Sequence, residues 1–110
     1  MPSPLHLTLI FGFALALAAC GDTDTALSPE DRLRLGETMY GTACAACHGD
    51  ALEGTLLGPP LDDLDRFTDE DLARIITRGV GDGSDWPPMP GTRLRPNQVD
   101  AVITWVRTQG

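Results

Sequence analysis

The sequence predicts an all-α fold in which three helices alternate with two long loops. The strongest observation is Val99, Val102, Ile103 and Val106, spaced i, i+3, i+4, i+7 as one apolar face of a helix. A second is the set of helix-start signatures at Ser28, Thr68 and Pro96. A third is the absence of any apolar/polar alternation long enough for a strand. No internal repeat is visible.

The first helix opens on Ser28-Pro29-Glu30-Asp31, with a capping serine, proline at the first helical position and acids in the first turn, and is expected to run to about Gly41. The second starts after Thr68, with Phe67 and Leu72 as a staple around the cap, Leu72, Ile75 and Ile76 as its buried face and Gly79 as its stop. The third has Pro96 at its first position and a Leu94–Val99 staple; Arg95 at its cap offers no side-chain acceptor, but the periodicity carries the assignment. Between them, Gly54 to Pro60 and Gly79 to Gly91 read as loops by their glycine and proline content.

A chain of 110 residues has room for one domain and a small core. Beyond Cys20 the aromatic residues are Tyr40, Phe67, Trp86 and Trp105, so the two loops need something else to pack on. The 3 cysteines do not form a disulfide framework, because one is left over. All 8 basic residues are arginines and there are 16 acids, giving a net charge of −8; nucleic acid and anionic lipid surfaces are excluded as partners, and so is a ring of lysines for docking.

From Leu5 to Ala19 the chain is apolar except for His6, Thr8 and Gly12, too short for a comfortable membrane span but suited to a secretory signal. Leu17-Ala18-Ala19-Cys20 resembles the bacterial lipoprotein box, although no Lys or Arg precedes the apolar run. The expected organisation is a signal peptide over 1–19, a lipidated Cys20 with a short polar linker over 20–27, and one domain over 28–110. Ordinary cleavage near Ala18 or Ala19, or an uncleaved short anchor, are the alternatives. The expected location is the periplasmic side of a membrane, lipid-anchored, the membrane itself unassigned.

Cys44-Ala45-Ala46-Cys47-His48 concentrates the chemistry. On a helical turn, positions i, i+3 and i+4 share one face, so both thiols and the imidazole point the same way. That suits covalent haem: each cysteine adds to a vinyl group while His48 reaches the iron. Two alternatives compete. A thioredoxin-like dithiol belongs after a strand, whereas a capped helix precedes this motif. A zinc site lacks a fourth protein ligand, since the chain beyond Cys20 has no other histidine.

Over Leu33 to Arg107 the chain resembles the class I c-type cytochromes, the family of mitochondrial cytochrome c and many bacterial monohaem carriers. Gly36 and Tyr40 match the small and aromatic residues of that family's first helix, and Cys44 to Gly49 its attachment site. Gly58-Pro59-Pro60-Leu61 is similar to the loop whose proline carbonyl accepts a hydrogen bond from the proximal histidine, a role that falls to Pro59. Trp86-Pro87-Pro88-Met89-Pro90 resembles the loop that supplies the axial methionine, and Trp105 stands at the aromatic position of a last helix that crosses the first near Gly36.

The resemblance implies a cytochrome c fold around one covalent haem c, with His48 and Met89 as iron ligands. The other methionine beyond Cys20, Met39, lies too close to Cys44 along the first helix to reach the opposite haem face. Trp105 reads as core, Trp86 either as a wall of the haem site or as the end of a loop, and Arg78 and Arg93 either as partners of the haem propionates or, by default, as solvated. The implied function is single-electron transfer with redox protein donors and acceptors, without catalysis. The alternatives are a permanent cytochrome subunit of a membrane-associated dehydrogenase or terminal oxidase, and a C-x-x-C thiol oxidoreductase.

Overall fold

The computed structural model describes residues 26–110. The signal segment 1–19, Cys20 and the linker up to residue 25 lie outside the described residues. Among those described, no helix is long and apolar enough to cross a membrane.

Helix α1 runs Pro29–Ala43, and Ser28 caps it by accepting from the Asp31 amide at 3.1 Å. It passes beyond the expected stop at Gly41, because that glycine keeps helical geometry, and ends where the Cys44 amide donates to Tyr40 O at 2.9 Å. Directly after it comes the single-turn helix α2, Ala45–His48, which the sequence reading did not separate from a simple turn. Gly49 terminates α2 at φ 88°, outside the range a side-chain-bearing residue adopts readily.

Helix α3, Asp69–Arg78, begins as expected at Thr68. Thr68 Oγ1 accepts from the Asp71 amide at 3.1 Å, and Asp71 accepts in return from the Thr68 amide at 3.2 Å. The Thr68 backbone bond, then the Thr68 hydroxyl and Arg74, hold the Asp71 carboxyl below its ordinary value. Helix α4, Pro96–Thr108, starts with half of this device: Gln98 Oε1 accepts from the Arg95 amide at 2.8 Å, and Arg95 has no oxygen to answer with.

One feature departs from a purely helical reading. Gly79–Val80 (β1) pairs antiparallel with Met89–Pro90 (β2), in the register Gly79↔Pro90 and Val80↔Met89. Strands of 2 residues are too short to leave a periodic trace, and they close the base of the loop between them.

The long helices α1 and α4 cross at Gly36. A Cβ on Gly36 would run into the Ala101 carbonyl and come within 2.7 Å of Trp105 Cβ, so only glycine permits this approach. Around the crossing, Tyr40, Cys44, Leu52, Val102 and Val106 form one buried cluster. Leu72, Val99 and Ile103 form a second, and Leu64, Ile76 and Leu94 pack against both. Trp105 lies on Tyr40 with ring centroids 4.9 Å apart, the core role expected of it, and Met39 packs against the same cluster. At the far end of α4, Arg107 donates to Asp69 Oδ1 at 2.7 Å and to Phe67 O at 2.9 Å, fixing the chain that leads into α3.

Gly36→Ala forces these two helices apart without adding any contact. The variant should lose about 2 kcal/mol of stability, the usual cost of overpacking a filled interface, and its Tm should fall by on the order of 10 °C. An unchanged melting curve would show that the crossing yields without cost.

Candidate cofactor site

Between the α1–α4 pair and the two loops lies a cavity of about 550 Å³, mostly apolar, within the size range of sites for organic cofactors. Helix α1 supplies Tyr40 to its wall, and α4 supplies Val102, Ile103 and Val106. Leu72, Ile75 and Ile76 of α3 form another side. Cys44, Cys47, His48, Pro59 and Met89 all line it as well. The attachment motif and the Met89 loop, 41 positions apart in sequence by the numbering of His48 and Met89, thus meet across one space. Met39 is not among the lining residues.

His48 is buried at 8% exposure, and its Nδ1 lies 2.8 Å from Pro59 O. A carbonyl oxygen only accepts, so Nδ1 carries the proton and Nε2 is left with the free lone pair. The ring is thereby fixed both in orientation and in tautomer. The loop that brings Pro59 here depends on Gly58, where a Cβ would stand 3.0 Å from Cys47 O and 3.2 Å from His48 Nδ1. Tyr40 completes the support by donating to Gly49 O at 2.6 Å, just past the motif. Burial, then the charges of Cys44, Glu53 and Asp50, push the Tyr40 hydroxyl up to about 12, so it remains a donor at any ordinary pH.

Burial, with Cys47 adding to it, also pushes the Cys44 thiol up to about 11. Dithiol oxidoreductases need the reverse, a thiol lowered towards or below neutral pH. Nor do three His, Cys, Asp or Glu side chains converge as a ready metal cage among the described residues. What the cavity does offer is a soft thioether, an oriented imidazole and paired thiols around apolar walls. That donor set fits a haem, which would be held by thioether bonds from the cysteines.

The structure also resolves Trp86, for which the sequence left two readings: it lines the cavity, and its Nε1–H donates to Thr55 O at 3.1 Å. Arg78 and Arg93 do not line it, whereas Arg66 does, lying over the Phe67 ring at 4.8 Å. Arg66 had no signal in the sequence, because nothing distinguishes one arginine in an acidic loop from a solvated one.

A protein family described as "Cytochrome C oxidase, cbb3-type, subunit III" matches residues 31–106, spanning both sides of the cavity. The chain belongs to the cytochrome c family. It is 33% identical to cytochrome c-551 of Bacillus subtilis (strain 168), over 96% of each chain. Among solved structures, the c-type cytochrome XoxG of Methylobacterium extorquens AM1 matches 71% of this chain with TM-score 0.60 at 23% identity, a likeness of fold. Cytochrome cL of Methylophaga aminisulfidivorans MPT matches 74% with TM-score 0.58 at 27% identity. This cytochrome spans about half of each of those longer chains, 50% and 57%. The fold is that of cytochrome c, the cofactor is covalent haem c, and the chain is an electron carrier and not an enzyme.

Covalent attachment makes the haem inseparable from the polypeptide. Acidified-acetone extraction should leave colour with the denatured chain, and the double variant Cys44→Ala, Cys47→Ala should yield colourless protein. Extraction of the wild-type haem into the organic layer would refute attachment through this pair.

Proposed function

We propose that this cytochrome carries single electrons on a haem ligated by His48 and Met89, at the periplasmic surface of a membrane to which Cys20 is lipid-anchored. The observation that carries the ligand assignment is the shared cavity. His48, with Nε2 free and Nδ1 tied to Pro59, lines it together with Met89, while Met39 packs in the core. The haem supplies a one-electron ferric/ferrous couple. Met89 would stabilise the ferrous form through its thioether and raise the potential, and together with His48 it would occupy the iron's protein-ligand positions and leave none open to substrate. Pro59 acts one step out, setting the basicity and the angle of His48.

Electron exchange needs an approach surface. Leu56 and Leu57 are 93% and 57% exposed, and Leu57 and Val80 stand at the cavity wall. Large exposed apolar side chains beside a cofactor site mark a contact area for a protein partner, and here that partner is a redox donor or acceptor. A second reading, a permanent subunit of a membrane-associated dehydrogenase or terminal oxidase, is favoured by the name of the matching family. Mild detergent extraction separates the two: a carrier comes away alone, a subunit with its complex.

Met89→Ala should abolish the weak near-infrared sulfur-to-iron charge-transfer band of the ferric protein, lower the potential and admit carbon monoxide to the ferrous iron. Met39→Ala should keep the band. Retention of both band and potential in Met89→Ala would overturn the ligand assignment.

The anchor is tested apart from the haem. Wild-type protein should stay with membranes through a high-salt wash, because acyl chains hold by about 0.8 kcal/mol per buried methylene and not by charge. Cys20→Ser behind a cleavable signal should be soluble and still red. Release of the wild type by salt alone would speak for ordinary cleavage and peripheral association.

A further inference from the structure

The loop from Val80 to Met89 is secured at its base. Val80 pairs with Met89 and Gly79 with Pro90. Just beyond, Thr92 donates to Ile76 O through its amide at 2.9 Å and its hydroxyl at 3.0 Å. The tip has no such ladder. Over 81–88 every residue except Trp86 is exposed, and Ser84 bonds only within the turn, to Trp86. Among the described residues, the hydrogen bond that ties this tip to another part of the fold is Trp86 Nε1–H to Thr55 O, 3.1 Å long and 31 positions apart in sequence.

Thr55 is itself pinned to the other side of the site. Its amide donates to Gly58 O at 2.9 Å, and its hydroxyl donates to Cys47 O at 2.7 Å while accepting from the Leu57 amide at 3.0 Å. A continuous run of hydrogen bonds therefore joins the loop of Met89 to the backbone of the attachment motif. Between Trp86 and Met89 stand Pro87 and Pro88, whose fixed φ angles make the link stiff, so a displacement at Trp86 is passed on to Met89 and not absorbed.

We propose that Trp86 is a positioning residue: its indole N–H, bonded to the Thr55 carbonyl, clasps the Met89 loop across the cavity mouth and keeps the methionine at the cofactor. This rests on the assignment of Met89 as iron ligand. The indole ring lines the cavity, but the clasp lies in its single donor, which phenylalanine lacks. Loss of one neutral hydrogen bond shifts the balance between clasped and open loop about fivefold.

The test uses holoprotein with Trp86→Phe, which keeps an aromatic wall and removes the donor. Carbon monoxide should bind the ferrous form about fivefold faster than in wild type, by the same hydrogen-bond magnitude. The charge-transfer band should vanish at lower denaturant, with covalent haem content and far-ultraviolet dichroism unchanged. Thr55→Val, which cuts the run at its other end, should act in the same direction, and Thr55→Ser should behave as wild type. Combining Trp86→Phe with Thr55→Val should add little, because both break one chain of bonds. Should Trp86→Phe fail to fold, the Thr55→Val and Thr55→Ser pair decides alone. Wild-type kinetics and band stability in Trp86→Phe, or in Thr55→Val where that pair decides, would overturn the clasp and leave the ligand assignment standing. A wild-type protein without the band would remove the ligand assignment and the clasp together.

Discussion

Where α1 and α4 touch backbone to backbone at Gly36, two things happen at once. The apolar stripe of α4, Val99 to Val106, is brought against Tyr40, and the C-terminal end of α1 is aimed so that α2 follows with Cys44 and His48 turned inward. Had the helices stood a side chain further apart, Val102 and Val106 would not reach Tyr40 and Cys44, and the motif would have no wall to face. The crossing therefore precedes the chemistry. It is also local to two helices, so it needs nothing from the loops.

The loops need something from the site in return. Segments 54–60 and 79–91 carry few apolar side chains, and Leu56 and Leu57 point partly or wholly into solvent. Their backbone is held by isolated bonds: His48 to Pro59, Thr55 to Cys47, Trp86 to Thr55, and the short β1–β2 pair. A chain this small buries too little apolar area to order such segments by itself. The broad apolar face of haem c supplies that area, so the cofactor is part of the core as well as the seat of the function.

Helix beginnings were legible in the sequence because capping is a local bargain: Ser28, Thr68 and Pro96 each announce themselves within a few residues. The end of α1 was not, since glycine permits both a stop and a continued turn, and Cys44 settled it by bonding back to Tyr40. The strand pair was invisible, because its pairing joins residues across a loop and leaves no period. For the site, the motif and the loop prolines were readable as residues. Which arginine lines the cavity was not readable, because that depends on how the loop after Leu61 folds over α3, a tertiary matter with no local mark.

Single-electron carriers gain when the protein around the iron keeps one shape in both oxidation states, since any rearrangement adds to the barrier. The two sides of this cavity are built for that in the same way. Pro59 and Pro60 stand on the side of His48, and Pro87, Pro88 and Pro90 surround Met89. Proline removes backbone freedom before folding begins, so holding these loops costs less order than it would for other residues. The first loop holds the imidazole of His48 through the Pro59 carbonyl, and the second is tied to the first by the Trp86 indole, which donates to the carbonyl of Thr55. Stiff segments joined by few bonds move as units or not at all. If His48 and Met89 hold the iron, as proposed, the backbone would fix the positions of both side chains and keep them nearly the same in the two oxidation states.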